Sequence, residues 1–194
     1  MKSIIQKKVL GILMTAAPLM AFDFIKTTES LFAVEGGYST LHNDVNDLSQ
    51  GIINQNNNIE TGHFGLKLGA QGRNYRVFLS GRNYISNSSH TILTAGGEAQ
   101  YKFNFSKLAN FFLGVSAGVA QIKIAENNDA TTSTRMPYYG GDVGFNYCAS
   151  ELIDLELGVK YMRLSENISQ GTTLYNLSDM SSMYGSIIIK WQMD

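Results

Sequence analysis

Eight segments of the chain alternate between apolar residues and polar or small ones, and each is bounded by Asn, Gly, Ser or Asp. Successive side chains of a β-strand point to opposite faces of a sheet, whereas a helix repeats its apolar positions every three to four residues. The alternation therefore predicts an all-β chain of eight strands. These cover approximately residues 30–40, 59–70, 73–84, 91–104, 109–122, 136–147, 153–163 and 179–193.

Each predicted strand has one apolar face and one small or polar face. In the seventh strand, Leu155, Leu157 and Val159 alternate with Glu156 and Gly158. This strict phase predicts that all polar faces line one side of the sheet. The polar faces collect eleven charged residues, namely Glu35, Lys67, Arg76, Arg82, Glu98, Lys102, Asp142, Asp154, Glu156, Lys160 and Lys190.

The N-terminus predicts a secretory signal peptide. Lys2, Lys7 and Lys8 precede the apolar run 9–17, and Ala21 is a small residue suited to cleavage. A membrane-anchor helix is the alternative, but residues 9–20 fall short of the roughly 20 apolar residues that a spanning helix needs. We expect residues 1–21 to be removed and residues 22–194 to form one domain.

Composition excludes several classes of protein. Only 16% of the residues are charged, against about 25% in ordinary soluble domains. The net charge of -1 provides no field for a nucleic acid, so no nucleic-acid partner is expected. A single cysteine, Cys148, excludes an intramolecular disulfide framework and a zinc ribbon.

The links between the predicted strands alternate in length. Residues 41–58, 85–90, 123–135 and 164–178 form the longer links, and residues 71–72, 105–108 and 148–152 form the tight ones. Transmembrane β-barrels have short periplasmic turns and longer extracellular loops. The pattern therefore predicts four extracellular loops and both termini in the periplasm.

Aromatic residues separate a membrane barrel from a soluble one, which would show the same alternation without an apolar band flanked by rings. The outward phase places aromatic residues near both ends of the strands, which predicts two girdles at the membrane interfaces. One girdle contains Phe32, Tyr75, Tyr101, Phe103, Phe111, Phe145, Tyr147 and Trp191, and the other contains Tyr38, Phe64, Tyr139 and Tyr161.

A chain of strands in lipid must close on itself, because an open sheet edge would leave backbone groups without hydrogen bonds. Eight strands leave an interior that side chains nearly fill. The eleven inward charges are mixed in sign, so we expect them to pair into a salt-bridge network inside the lumen. Such a plug argues against an open pore.

In these features the sequence resembles the small eight-stranded outer-membrane β-barrels of the OmpA-transmembrane and OmpX type. The resemblance covers the whole mature chain, including the glycine-spaced strands YGGDVGF at 139–145 and LELGVKY at 155–161. It implies an outer-membrane location, contact with lipid and lipopolysaccharide, and insertion by the barrel-assembly machinery. Members of this family usually end on an aromatic residue, whereas Trp191 lies three residues before Asp194.

The residues capable of catalysis or metal binding show no supporting spacing. His42, His63 and His90 map near the end of the barrel that carries the longer links. Ser88 or Ser89 beside His90 would form only a Ser-His pair within a loop. A metal site from the three histidines lacks short-range ligand spacing. We expect no catalytic residue, metal or cofactor.

Neither residues 43–47 nor Cys148 is expected to form a functional site. Residues 43–47, with sequence NDVND, lack the ligand spacing of an EF-hand and are expected to be a solvated loop. Cys148 is expected to be a small buried apolar residue, with intermolecular pairing as the alternative.

The sequence leaves three functional hypotheses. The first is a non-enzymatic barrel that reinforces the outer membrane and presents loops for recognition or adhesion. The second is a hydrolase of lipid or lipopolysaccharide. The third is a narrow channel.

Overall fold

Eight antiparallel strands close into a barrel in a computed structural model that describes residues 29–47, 54–86, 90–125, 131–170 and 173–192. Each strand pairs with the next, and β1 pairs with β8. The predicted fold is therefore confirmed, whereas the predicted signal peptide lies outside the described residues. The strands are β1 (Glu29–Asp47), β2 (Asn54–Gln71), β3 (Tyr75–Ser86), β4 (His90–Asn104), β5 (Ala109–Ala125), β6 (Thr131–Cys148), β7 (Ile153–Gln170) and β8 (Thr173–Gln192).

Tight connections define one end of the barrel, here called the turn end. After β2, the amide of Gly72 donates to the carbonyl of Tyr75 at 2.9 Å. After β6, Ser150 Oγ accepts hydrogen bonds from the amides of Leu152 and Ile153. Glu29 and Gln192, the ends of the described chain, pair at this same end.

The opposite end, here called the hairpin end, corrects the predicted links. β1 and β2 stay paired as far as Asn46 and Asn54, and β7 and β8 as far as Gln170 and Thr173. Most of the predicted loops 41–58 and 164–178 are therefore strand. Their polar residues break the apolar alternation, but the strands stay paired past register shifts at His42/Asn43 and Arg163/Glu166, because backbone hydrogen bonds do not require apolar side chains.

The outer surface carries the belt that lipid requires. Apolar side chains are exposed all around the barrel, among them Val34, Leu66, Leu79, Leu113, Val115, Leu157, Met183 and Ile187. Tyr101 packs edge-on against Tyr75 and Phe103 near the turn end. Tyr38, Phe64, Tyr139 and Tyr161 are exposed toward the hairpin end. The predicted outward phase of the aromatic residues is therefore confirmed.

Inward glycines make room for bulky inward side chains. Gly69 pairs with Phe78, and Gly158 pairs with Tyr184 on the neighbouring strand. A Cβ atom at Gly158 would lie 2.7 Å from the ring of Tyr184, whereas one at the outward Gly62 would meet nothing within 4 Å. The glycine-spaced strands therefore specify where the aromatic rings lie inside the lumen.

None of the described residues belongs to a helix that is long and apolar enough to cross a membrane.

Candidate functional site

All eleven charged residues assigned to the inner face lie in the lumen, and none is more than 8% exposed. Six of them form a central cluster, defined as Glu35, Lys67, Arg82, Glu98, Glu156 and Lys160. Four more form a turn-end cluster, defined as Arg76, Lys102, Asp154 and Lys190. The eleventh, Asp142, binds neutral side chains.

The central cluster is held by short ion pairs between neighbouring strands and across the lumen. Arg82 lies 2.5 Å from Glu35 through Nε and 2.5 Å from Glu98 through Nη2. Lys67 contacts Glu35 at 2.5 Å, and Lys160 contacts Glu98 at 2.7 Å. Each carboxylate therefore has at least two cations, an arrangement that offsets the cost of burying charge.

Glu156 links the central cluster to the turn-end cluster. It lies 3.3 Å from Lys67 and 2.7 Å from Arg76. Within the turn-end cluster, Lys190 pairs with Asp154 at 2.7 Å. Since Arg76 also lies 3.8 Å from Asp154, ion pairs connect the two clusters into one network.

Two of the eleven charges are not ion-paired among the described residues. Lys102 donates to the side-chain oxygen of Gln71 at 2.9 Å. Asp142 accepts hydrogen bonds from Gln100 at 2.7 Å and from the hydroxyl of Tyr184 at 3.3 Å. Neutral hydrogen-bond partners therefore replace counter-ions at these two positions.

A Ser-His-carboxylate chain adjoins the central cluster, and sequence reasoning missed it. Ser39 Oγ lies 2.9 Å from His63 Nδ1, and His63 Nε2 lies 3.3 Å from Glu35 Oε1. The sequence analysis considered a serine partner only for His90. The sequence signal that could have revealed it is alternation, because Ser39 and His63 both fall on the inward face of the adjacent strands β1 and β2.

The surroundings of Ser39 do not suit a nucleophile. The residue is fully buried, and its hydroxyl donates to Ser182 Oγ at 2.8 Å. The next inward residues toward the hairpin end are the buried Leu41 and Met180. A substrate carbonyl would need the space that these side chains fill.

An apolar layer closes the lumen toward the hairpin end, which corrects the prediction that the inner face is small or polar. The layer draws residues from seven of the eight strands, all at most 3% exposed. Its members are Leu41, Tyr84, Ile92, Ala120, Ile122, Met136, Tyr138, Met162, Leu164 and Met180. Apart from the hydroxyls of Tyr84 and Tyr138, which are buried without a hydrogen-bond partner in the described structure, these side chains offer water no hydrogen-bonding group.

The remaining candidate residues do not converge on a site. His42 is exposed on the outer face, whereas His63 points inward. Ser88, Ser89 and the side chain of His90 lie outside the described residues. In the part of the chain that the structure describes, no three His, Cys, Asp or Glu residues are placed to hold a metal ion.

Two local predictions are corrected. Cys148 is partly exposed at the turn end rather than buried, because it is the last residue of β6. The backbone of residues 43–47 continues β1 and pairs with both β2 and β8 instead of forming a loop. A strand cannot wrap around a calcium ion as an EF-hand loop does.

The arrangement also matches known structures. No protein-family profile and no curated protein matches the sequence. Neisserial surface protein A (NspA) superposes with a TM-score of 0.63 at 12% identity, covering 82% of this chain and 97% of that one.

Two further structures are similar at lower scores. Ail, the attachment invasion locus protein of Yersinia pestis, has a TM-score of 0.46 at 12% identity, covering 84% of this chain and 99% of that one. The N-terminal barrel of Pseudomonas aeruginosa OprF has a TM-score of 0.42 at 14% identity, covering 80% and 96% respectively. At these identities the likeness concerns the fold, which is that of the small eight-stranded outer-membrane barrels.

Proposed function

We propose that this outer-membrane barrel is a closed, non-enzymatic membrane anchor that presents polar hairpins for recognition or adhesion. One observation carries the proposal: packed side chains fill the lumen, while the strands continue beyond the aromatic girdle at the hairpin end. In this proposal the hairpin end lies outside the cell, and the turn end therefore lies in the periplasm. Contact with outer-membrane lipid and lipopolysaccharide, and insertion by the barrel-assembly machinery, belong to this proposal.

The filled lumen supports an anchor rather than a conduit. An ion crossing it would have to break the pairs around Glu98 and then pass the apolar layer. Both steps are costly, since breaking a buried pair exposes an uncompensated charge and an apolar constriction resists wetting. Transport therefore requires rearrangement of two different layers.

The hairpin end supports recognition because its strands form a contiguous, mostly polar sheet, in which Val45, Tyr175 and Ile168 pair as one apolar row. We call it the projecting sheet and define it as residues 42–47, 54–59, 165–170 and 173–178. β8 pairs with β1 as far as Asp47 and Thr173, so the two hairpins join side by side. From Tyr38 to Asn46 the strand advances about 27 Å, or about 20 Å along the membrane normal at the usual tilt.

The composition of the projecting sheet favours hydrogen bonding to a polar partner. Residues 54–58 read NQNNN and residues 42–47 read HNDVND. Amide side chains both donate and accept hydrogen bonds. We expect the extracellular ligand to bind through the predicted segments 41–58, 85–90, 123–135 and 164–178, and mainly through the first and last of them.

An attachment assay tests the recognition proposal. Bacteria that produce the full chain are compared with bacteria in which residues 44–56 are replaced by an Asn-Gly turn, which supports a two-residue hairpin. We expect retention on glycoprotein-coated surfaces to fall to the level of cells lacking the protein. Unchanged retention, with the shortened barrel still folded by heat-modifiable gel mobility, would contradict the proposal.

The Ser39–His63–Glu35 chain is where the second hypothesis, a lipid hydrolase, can be tested. The assay is fatty-acid release from phospholipid and lipopolysaccharide by the refolded barrel, with Ser39→Ala as the matched variant. We expect no release from either protein, because Ser39 is buried beneath Leu41 and Met180. Release by the native chain that is lost in Ser39→Ala would replace the anchor proposal with this one.

A further inference from the structure

We propose that the outer face of β3–β6 near the hairpin end binds the phosphate of a phosphorylated glycolipid, such as lipid A, in the outer leaflet. The inference rests on the proposed orientation of the barrel. It concerns the lipid-facing surface, and neither the lumen nor the projecting sheet takes part. The inference is drawn from polar and cationic outer-face residues that lie just beyond the apolar belt.

Two rows of outer-face residues mark the change from apolar to polar surface. Gly81, Ala95, Val119 and Pro137 pair in sequence across β3, β4, β5 and β6 and form the last apolar row. Two residues further along each strand, the next outward row is Asn83, Leu93, Gln121 and Arg135. A third row, again two residues further, is Ile85, Thr91, Lys123 and Ser133.

The height of Arg135 above the last apolar residue of its own strand, Pro137, fits the lipid headgroup layer. Two residues advance a strand by about 6.7 Å, or about 5 Å along the membrane normal at a barrel tilt of about 40°. The headgroup region on each side of the hydrocarbon core is about 5–7 Å thick. Arg135, two residues beyond Pro137, therefore lies within this layer. Lys123, four residues beyond Val119, lies about 10 Å beyond the last apolar row, from where its long side chain can reach the same phosphate.

The two cations are placed to share one anion. Gln121 pairs with Arg135, and Lys123 pairs with Ser133, so Lys123 and Arg135 are diagonal neighbours. Diagonal neighbours on adjacent strands are about 7–8 Å apart, a gap that two long side chains can close around a phosphate. Both residues are exposed, and neither has an ion-pair partner among the described residues.

A shallow depression beside the cations provides further contacts. It has a volume of about 220 Å³ and is lined by Asn83, Thr91, Leu93, Gln121 and Lys123. The side-chain oxygen of Asn83 is buried without a hydrogen-bond partner in the described structure. An acceptor of this kind suits a sugar hydroxyl, and Leu93 offers an apolar contact at the boundary with the acyl chains.

The opposite side of the barrel lacks this complementarity. There Arg163 is neutralised by Asp179, at 4.0 Å, and Glu60 is exposed on β2. An anionic headgroup would meet two carboxylates and one cation on that side. Among the described outer-face lysines and arginines near the hairpin end, those without an ion-pair partner therefore lie on the β3–β6 side.

Native mass spectrometry of the folded full barrel in zwitterionic detergent, titrated with bisphosphorylated lipid A, tests the proposal. We expect the double variant Lys123→Gln/Arg135→Gln to bind roughly tenfold more weakly than the native chain, as expected for losing charge-assisted hydrogen bonds at an exposed site. Arg135→Lys should retain most of the binding. Arg163→Gln, which removes a neutralised cation, should bind as the native chain does.

Several results would overturn the proposal. These are native-like binding by the double variant, equal binding of lipid A stripped of its phosphates, or an equal loss in Arg163→Gln. Displacement of lipid A by an equal concentration of inorganic phosphate would also reject the lipid as the ligand. Micelles have no sidedness, so the lipid A titration does not depend on the proposed orientation of the barrel. That orientation is tested separately on intact cells, by inserting a protease site between Asp47 and Asn54.

Discussion

The lumen contains two regions that close the same tube in different ways. The central cluster fills the middle with six charges held by ion pairs as short as 2.5 Å. The apolar layer fills the hairpin end with side chains that make no ion pair. The first region depends on each charge keeping its partners, whereas the second depends on volume, so single substitutions should damage them differently.

The largest effect is expected in the central cluster. Glu98→Ala would leave Arg82 and Lys160 without the carboxylate that lies 2.5 Å and 2.7 Å from them. An uncompensated buried charge costs about 3–5 kcal/mol, so we expect the free energy of unfolding to fall by that amount in urea titrations of the barrel in lipid vesicles. Asp179→Ala is the control, since its partner Arg163 is largely exposed and such pairs contribute about 0–1 kcal/mol. Equal losses in the two variants would mean that the central cluster is not electrostatically coupled.

A smaller effect is expected in the apolar layer. Met162 is fully buried there, and truncating a buried methionine to alanine costs about 2–5 kcal/mol. We expect Met162→Ala to lie at the lower end of this range, near 2–3 kcal/mol, because neighbouring methionines adapt their shape. The same urea titration measures it. A loss larger than that of Glu98→Ala would reverse the ranking of the two regions.

The smallest effect sharpens the comparison by changing volume alone. Gly158→Ala would bring a methyl group to 2.7 Å from the ring of Tyr184, and overpacking costs about 1–3 kcal/mol. Gly62→Ala adds the same methyl group in open space and should change stability by less than about 0.5 kcal/mol. Parallel unfolding curves decide the matter, and indistinguishable midpoints for the two variants would refute the packing role assigned to inward glycines.

Much of the fold was predictable because closure and phase follow from alternation. A strongly apolar residue such as Leu157 indicates the outer face of the barrel, and a charged residue such as Glu156 indicates the inner face. The hairpin end was not predictable in the same way. At 54–58 every side chain is polar, so the sequence contains no phase, and only the backbone ladder with β1 shows that a strand is present.

The candidate site was predictable in position but not in chemistry. The inward phase located all eleven charges, yet it could not show that Lys102 would bind Gln71 or that Asp142 would bind Gln100. These contacts depend on stagger between strands far apart in the chain. The apolar layer was missed for another reason: each contributing strand supplies only one or two inward apolar residues to it, and the layer exists only when the strands are assembled.

The closed lumen is the central claim, and the ionic conductance of the native barrel in a planar lipid bilayer tests it most directly. The two layers predict no steady conductance above that of the bare bilayer, including at high salt. The conductance of Glu98→Ala is measured for comparison. This variant removes one carboxylate from the central cluster and leaves the apolar layer unchanged. Large, steady conductance steps from the native protein would contradict the account and identify the barrel as a channel.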